Sequence, residues 1–175
     1  MTYTTQYSSP VGRLTLACDG ISLTGLWLEG QKYFGSTLEE RAVPQDALPI
    51  FSQAKGWLDR YFSGEISAPN ELPLAPAGSL FRQAVWRILT QIPWGQVVTY
   101  KEIADQVSSQ LGRSSMSGQA VGGAVAHNPI SIIIPCHRVV GTGGSLTGYA
   151  GGIDKKIWLL THEGVDVASF SRPKR

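Results

Sequence analysis

Pro69, Pro73 and Pro76 crowd into the stretch SAPNELPLAPAGS (residues 67–79), with Gly78 just behind them. Each proline fixes its own φ, removes a backbone donor and biases the residue before it toward extended backbone. A helix is excluded here, so the 175-residue chain reads as two units joined by a linker, with boundaries at 1–78 and 79–175.

The patterns on the two sides differ. Before the linker, Thr2 to Ser8, Arg13 to Cys18 and Ser22 to Leu28 are short runs of β-branched, aromatic and leucine residues, separated by the turn signals Ser9-Pro10-Val11-Gly12 and Asp19-Gly20. Phe51, Ala54, Leu58, Tyr61 and Phe62 then recur at helical spacing, which predicts a helix from Pro49 to Phe62 with Gly64 as its stop. After the linker the pattern is helical. Phe81, Val85, Ile88, Leu89 and Ile92 stripe a helix over Leu80 to Gln91 that Ser79 caps. Thr99 and Glu102 form a capping-box pattern for a second, with Ile103, Ala104 and Val107 inward. Ser117 caps a third, from Gly118 to about His127, which Asn128-Pro129 ends.

That third helix is unusual, because every residue from Ala120 to Ala126 is Ala, Val or Gly. Gly122 and Gly123 cost about 1 kcal/mol each relative to alanine inside a helix. So small a face suits either tight helix-on-helix packing or close approach to a nucleic-acid groove, as in a helix-turn-helix recognition helix. Beyond it come the apolar run Ile130 to Ile134, then Pro135-Cys136-His137-Arg138, then the glycine-rich GTGGSLTGYAGG, which reads as a hairpin or wing. A last helix spans Ile153 to Glu163, with Gly164 following.

A composition that is 42% hydrophobic and 16% charged excludes a disordered chain. No apolar run approaches the about 18 residues a membrane span needs. The opening MTYTTQYSSP lacks the basic and apolar regions of a secretory signal. Cys18 and Cys136 are therefore read as reduced thiols of a cytoplasmic protein. Charge is divided unevenly: Met1 to Ser79 holds five Lys/Arg against eight acids, and Leu80 to Arg175 ten against five. A basic second half suits an anionic partner, although two solvated faces would give the same asymmetry.

Cys136 directly precedes His137, and a thiol nucleophile needs a nearby base to reach its thiolate form. Side chains adjacent on a strand face opposite ways, so cooperation requires a turn or a bridging water. Glu163 is a candidate to orient His137. A buried structural cysteine is the alternative for Cys136 and the reading for Cys18. The Cys and His residues show no metal-ligand spacing, so no metal site is expected.

Ile134-Pro135-Cys136-His137-Arg138-Val139 resembles the active-site signature of the O6-alkylguanine-DNA alkyltransferases. Asn128-Pro129 stands eight residues before the cysteine, as in that family. Ala120-Val121-Gly122-Gly123, Gly148-Tyr149-Ala150-Gly151-Gly152 and Trp158-Leu159-Leu160-Thr161-His162-Glu163-Gly164 also match in order. The resemblance runs from about Phe81 to Gly164, and the first third is compatible with the family's more variable domain. It implies an α+β fold, with a small N-terminal β-containing, ribonuclease H-like domain. A C-terminal winged helix-turn-helix-like domain would bind DNA and carry the chemistry.

The function implied is direct repair of double-stranded DNA. O6-alkylguanine, with O4-alkylthymine as a further candidate substrate, would be flipped from the duplex, and its alkyl group transferred irreversibly to Cys136. This is a single-turnover protein-cysteine methyltransferase activity that needs no dissociable cofactor, and the protein is expected to act as a monomer. By the same resemblance, His137 takes the thiol proton through a water, Glu163 holds the imidazole tautomer, and Asn128 supports the turn that presents the cysteine. Tyr100 crowds the phosphate and donates toward guanine N3. The Val139 carbonyl accepts from the exocyclic amine, Tyr149 walls the pocket and the Ala150 N–H donates to O6. Ala120, Gly122 and Gly123 lie on the helix that meets the groove. Arg138 is read as structural rather than catalytic.

Two departures stand out. Gln119 occupies the position where many relatives insert an arginine finger, and Ser108 to Ser117 forms a longer loop than in some of them. Three other readings remain: a relative that binds alkyl lesions without transfer, a Cys-His hydrolase, and a transcriptional helix-turn-helix protein. Gln119 brings no charge to the duplex, so DNA binding should depend less steeply on salt than in arginine-bearing relatives. Gln119→Arg should steepen the slope of log affinity against log salt by about 1. Equal slopes for the two proteins would count against this.

Overall fold

A computed structural model describes residues 1–113 and 116–171. Of the loop expected over Ser108 to Ser117, the first three residues instead complete a helix, and Ser114 and Ser115 lie outside the described residues. So does most of the basic tail SRPKR. No helix among the described residues is long and apolar enough to cross a membrane.

The N-terminal runs form β1 (Tyr3–Ser9), β2 (Gly12–Cys18) and β3 (Leu23–Leu28), an antiparallel meander. Pro10 and Val11 alone close the first hairpin, and the chain re-enters β2 at Gly12 with φ +105°, where glycine carries no Cβ penalty. A two-residue strand β4 (Val43–Pro44) pairs in parallel with β1, giving the order β3-β2-β1-β4. The helix α1 (Pro49–Phe62) has the expected bounds. It starts on a proline, where the missing N–H costs nothing, and buries Ile50, Phe51, Ala54, Trp57, Leu58 and Tyr61.

The linker is no free tether. The Leu23 N–H donates to Pro73 O at 2.9 Å and the Ala75 N–H to Leu23 O at 2.8 Å, so its second half pairs with the outer edge of β3. Its first half corrects the expectation of purely extended backbone, for Pro69–Glu71 makes one 3-10 turn, with Pro69 at its opening where proline is tolerated. The Trp57 indole donates to Ala68 O at 2.9 Å and holds this turn against α1. Farther along the same edge of β3, Leu26 exchanges backbone bonds with the other half of the chain: its N–H donates to Pro129 O at 2.8 Å and its carbonyl accepts from Ser131 N at 2.9 Å. The edge strand is thus covered, and the segment leading to Cys136 hangs from it.

Three capped helices follow: α2 (Leu80–Leu89), α3 (Tyr100–Gln110) and α4 (Gly118–Ala126). Ser79, Thr99 and Ser117 each accept from first-turn N–H groups, and of the Thr99–Glu102 capping box the Thr99 half forms. The Trp86 indole on α2 donates to Ala124 O on α4 at 2.8 Å. β5 (Val98–Thr99) pairs in parallel with β6 (Val139–Val140), which brings the start of α3 beside the turn that carries Cys136. The glycine-rich wing is shorter than a hairpin of strands, being turns closed by one Gly141–Ser145 bridge and joined to Ser171. α5 (Ile153–His162) ends at Gly164, whose φ is +84°. One continuous core runs from the sheet and α1 through α2, α3 and α4.

Leu58 is fully buried between α1 and the sheet. Leu58→Ala should lower the unfolding free energy by about 2–5 kcal/mol in urea titration. A loss under 1 kcal/mol would show that this interface is not part of the core.

Candidate active site

The chain reaches Cys136 through a strained turn. Ile132 has φ +70°, a rare conformation for a β-branched residue. Asn128 holds the turn together from inside: its Nδ2 donates to Ile134 O at 2.8 Å and Ile130 O at 3.3 Å, while its Oδ1 accepts from Ile130 N at 3.1 Å. These three hydrogen bonds pair the buried amide of Asn128 with the backbone of the turn, as burial demands.

Cys136, His137 and Arg138 form a 3-10 turn, which removes the geometric objection to a strand, where neighbours point apart. All three are buried, with Cys136 only 5% exposed. The carboxylate of Glu163, at the end of α5, receives three side-chain donors. His137 Nε2 lies at 2.6 Å and the Tyr61 hydroxyl at 2.5 Å from Oε2, and Arg138 Nε at 2.6 Å from Oε1. A second nitrogen of Arg138, Nη1, donates to Ile92 O at 2.6 Å. Burial works to raise the Glu163 pKa, but the imidazole and guanidinium beside it prevail and bring it down to about 2. An ionised carboxylate only accepts, so the proton of His137 sits on Nε2. Nδ1, buried and without a hydrogen-bond partner among the described residues, then carries the free lone pair. Burial pushes the His137 pKa down, against the pull of Glu163, and keeps the ring neutral.

Burial likewise pushes the Cys136 thiol up, while a hydrogen bond from Asn128 and the charge of Lys156 pull it back. Lys156 was absent from the sequence reading. It is fully buried on α5, with Nζ donating to Val139 O at 2.5 Å and Thr147 O at 3.2 Å. Burial brings its pKa down to about 8, with the Cys136 charge opposing the fall. A signal for it exists in the sequence: Lys156 stands three and four residues before Leu159 and Leu160, on the apolar face of its helix. Tyr61 was also missed as a site residue, since its place in the α1 stripe accounts for its ring but not for its hydroxyl.

A cavity of about 640 Å³ is lined by Tyr100, Gln119, Gly122, Tyr149 and Ala150, together with Lys32 and Tyr33 from the loop after β3, and Cys136 itself is not part of its lining. Tyr100 and Tyr149 lie close enough to Cys136 for its charge to add to the burial that raises both phenols, that of Tyr100 to about 12. Tyr100 donates to Thr147 O at 3.2 Å. Gln119 and Ala120 are exposed on the first turn of α4. A Cβ added at Gly122 or Gly123 would meet no atom within 4 Å, so tight helix packing does not explain these glycines. The face they form is open. The Val139 carbonyl is occupied on one side by Lys156. Cys18 is buried in β2, away from this constellation. Among the described residues no group of three or more His, Cys, Asp or Glu is placed to hold a metal ion.

Fold and site together define a class: an α+β protein in which a small sheet unit supports a helical unit, with a buried thiol beside a carboxylate-bound imidazole and an open, side-chain-free helix face. Known proteins narrow it. Residues 2–76 match the family model described as the ribonuclease-like domain of 6-O-methylguanine DNA methyltransferase, and residues 80–165 its DNA-binding domain. A methylated-DNA–protein-cysteine methyltransferase of Haemophilus influenzae is 42% identical over 161 residues, covering 92% of this chain and 86% of that protein. One from Mycobacterium tuberculosis is 43% identical, covering 89% and 88%. The crystal structure of Mycobacterium tuberculosis OGT in complex with DNA superposes with a TM-score of 0.81 at 38% identity, over 95% of this chain and 98% of that one. The chain belongs to the 6-O-methylguanine DNA methyltransferase family.

His137 makes stability depend on pH. Its folded pKa lies below the ordinary 6.5, so the unfolded chain binds more protons below that value. Its contribution is therefore full above pH 6.5 and lost on acidification, with Glu163 adding a further loss as pH falls from 4.5 toward about 2. The unfolding free energy should decline between about pH 7 and pH 5.5, and His137→Gln should flatten that decline. An unchanged pH profile in the variant would contradict a buried neutral imidazole.

Proposed function

We propose that this protein repairs O6-alkylguanine in double-stranded DNA by a single, irreversible transfer of the alkyl group to Cys136 Sγ. The observation that carries the reading is the Glu163-bound imidazole of His137 on the same buried turn as the thiol. Because burial keeps Cys136 protonated at rest, a base must act during the attack. His137 Nδ1 accepts the thiol proton through a water, and Glu163 stabilises the imidazolium that results. The S–C bond forms as the C–O6 bond breaks, and the departing guanine takes up one proton in exchange for the one the thiol gave. The thioether has no leaving group a second thiolate would displace, so each molecule acts once.

The other residues take binding roles. The glycine face of α4, with Ala120, Gly122 and Gly123, lies against the duplex, and Gln119 fills the space the flipped base leaves. Tyr100 donates toward guanine N3 and Tyr149 walls the pocket. The Ala150 N–H donates to O6, and the free lone pair of the Val139 carbonyl accepts from the exocyclic amine. Lys156 fixes that carbonyl and draws negative charge to Cys136. Arg138 and Asn128 hold the turn in place. The boundaries 1–78 and 79–175 separate the supporting unit from the reacting one. The requirement for a free thiol supports a reducing, cytoplasmic setting, and the chemistry needs only one copy of the chain. O4-alkylthymine is a second substrate to be tested on the same footing.

Intact-protein mass spectrometry with a duplex containing one O6-methylguanine should show a single added methyl per molecule, mapped to the Cys136 peptide. Cys136→Ser should stay unmodified, and His137→Gln should react about 10²–10⁴-fold more slowly. An unmodified native protein that still binds the lesion would favour recognition without transfer. Repeated turnover on an activated ester would favour a hydrolase.

A further inference from the structure

The cavity lined by Tyr100, Tyr149 and Ala150 is not built by the C-terminal half alone. Lys32 and Tyr33 contribute part of its wall from the loop after β3. Contacts along this loop bind it across to the other half of the chain. The Lys32 N–H donates to Ala150 O at 3.0 Å, Lys155 Nζ to Glu29 O at 2.8 Å, and Ser131 Oγ to Gln31 Oε1 at 3.2 Å. The Tyr33 ring stacks on His127, with centroids 3.8 Å apart and planes at 22°. His127 is itself anchored, since its Nδ1 donates to Gly123 O at 2.7 Å. Tyr33 also has φ +60°, a backbone conformation that bulky residues rarely adopt. Such geometry persists only where the surroundings over-determine it, and it concentrates at functional sites.

We infer that Tyr33 is a specificity-determining residue: its ring, clamped on His127, forms a fixed wall of the base-accepting cavity and sets the largest O6 substituent the site admits. A wall locked by a ring stack and a backbone bond cannot retreat for a bulkier adduct, unlike a loop tethered only at its ends. The loop that carries it belongs to the sheet unit, so the size limit is set by residues outside the unit that reacts. This inference rests on the alkyl-transfer reading above.

The test is the single-turnover transfer rate of the full chain on one duplex sequence carrying either O6-methylguanine or O6-benzylguanine. Tyr33→Ala should raise the benzyl-to-methyl rate ratio by about tenfold, as expected when a steric clash with a pocket wall is removed. Tyr33→Gly, which adopts φ +60° without strain and keeps the path of the loop, should do the same. Tyr33→Phe retains the ring stack and should leave the ratio at its native value. A ratio unchanged or lowered in both small variants overturns the inference, including the case where both rates fall alike because the loop is merely structural. A native chain that transfers from neither duplex overturns the alkyl-transfer reading itself, and this inference with it. Native transfer with an unaltered ratio in the variants removes this inference alone.

Discussion

The Glu163 carboxylate joins parts of the chain that are far apart in sequence, and the site depends on it. It accepts from Tyr61 of the first unit, from His137 beside the thiol, and from Arg138, which in turn reaches the Ile92 carbonyl. A carboxylate buried this deeply is tolerated because its donors replace the water it lost; removing one partner from such a cluster typically costs about 3–5 kcal/mol. The same contacts have a chemical consequence. The imidazole and guanidinium keep Glu163 ionised, an ionised Glu163 selects the Nε2–H tautomer of His137, and that tautomer leaves Nδ1 as the free base.

The sheet contributes through its outer edge. Leu23 pairs with the linker and Leu26 with the segment from Pro129 to Ser131, so β3 positions both the entry to the helical unit and the strained turn before Cys136. The φ of +70° at Ile132 is held by this pairing on one side and by the Asn128 side chain on the other. The first unit thus serves the site at three places: the β3 edge, the Tyr61 hydroxyl and the loop carrying Tyr33.

Local features were legible from sequence, because their causes are local. The apolar stripe fixed α1 at Pro49–Phe62, and Ser79, Thr99 and Ser117 marked the helix starts, since a cap needs only a side-chain oxygen at one position. The Pro-Cys-His-Arg motif and its companions pointed to the family. What escaped was tertiary. Strands β4, β5 and β6 are two residues each, too short to show alternation, and exist through their partners. The linker's pairing with β3 left no trace in its proline spacing. Tyr61, Lys156 and Tyr33 came from a core stripe, an amphipathic helix and a loop, where a polar tip or an unusual φ shows only once the fold brings its partner near.

The account turns on the protonation of His137, and nitrogen-15 NMR of the histidine rings in the intact protein reads it directly. A neutral ring at about pH 7, protonated on Nε2 and bare on Nδ1, is the expected result, and Glu163→Gln should disturb it. An imidazolium at that pH, or a proton resident on Nδ1, would contradict the proposed route for the thiol proton.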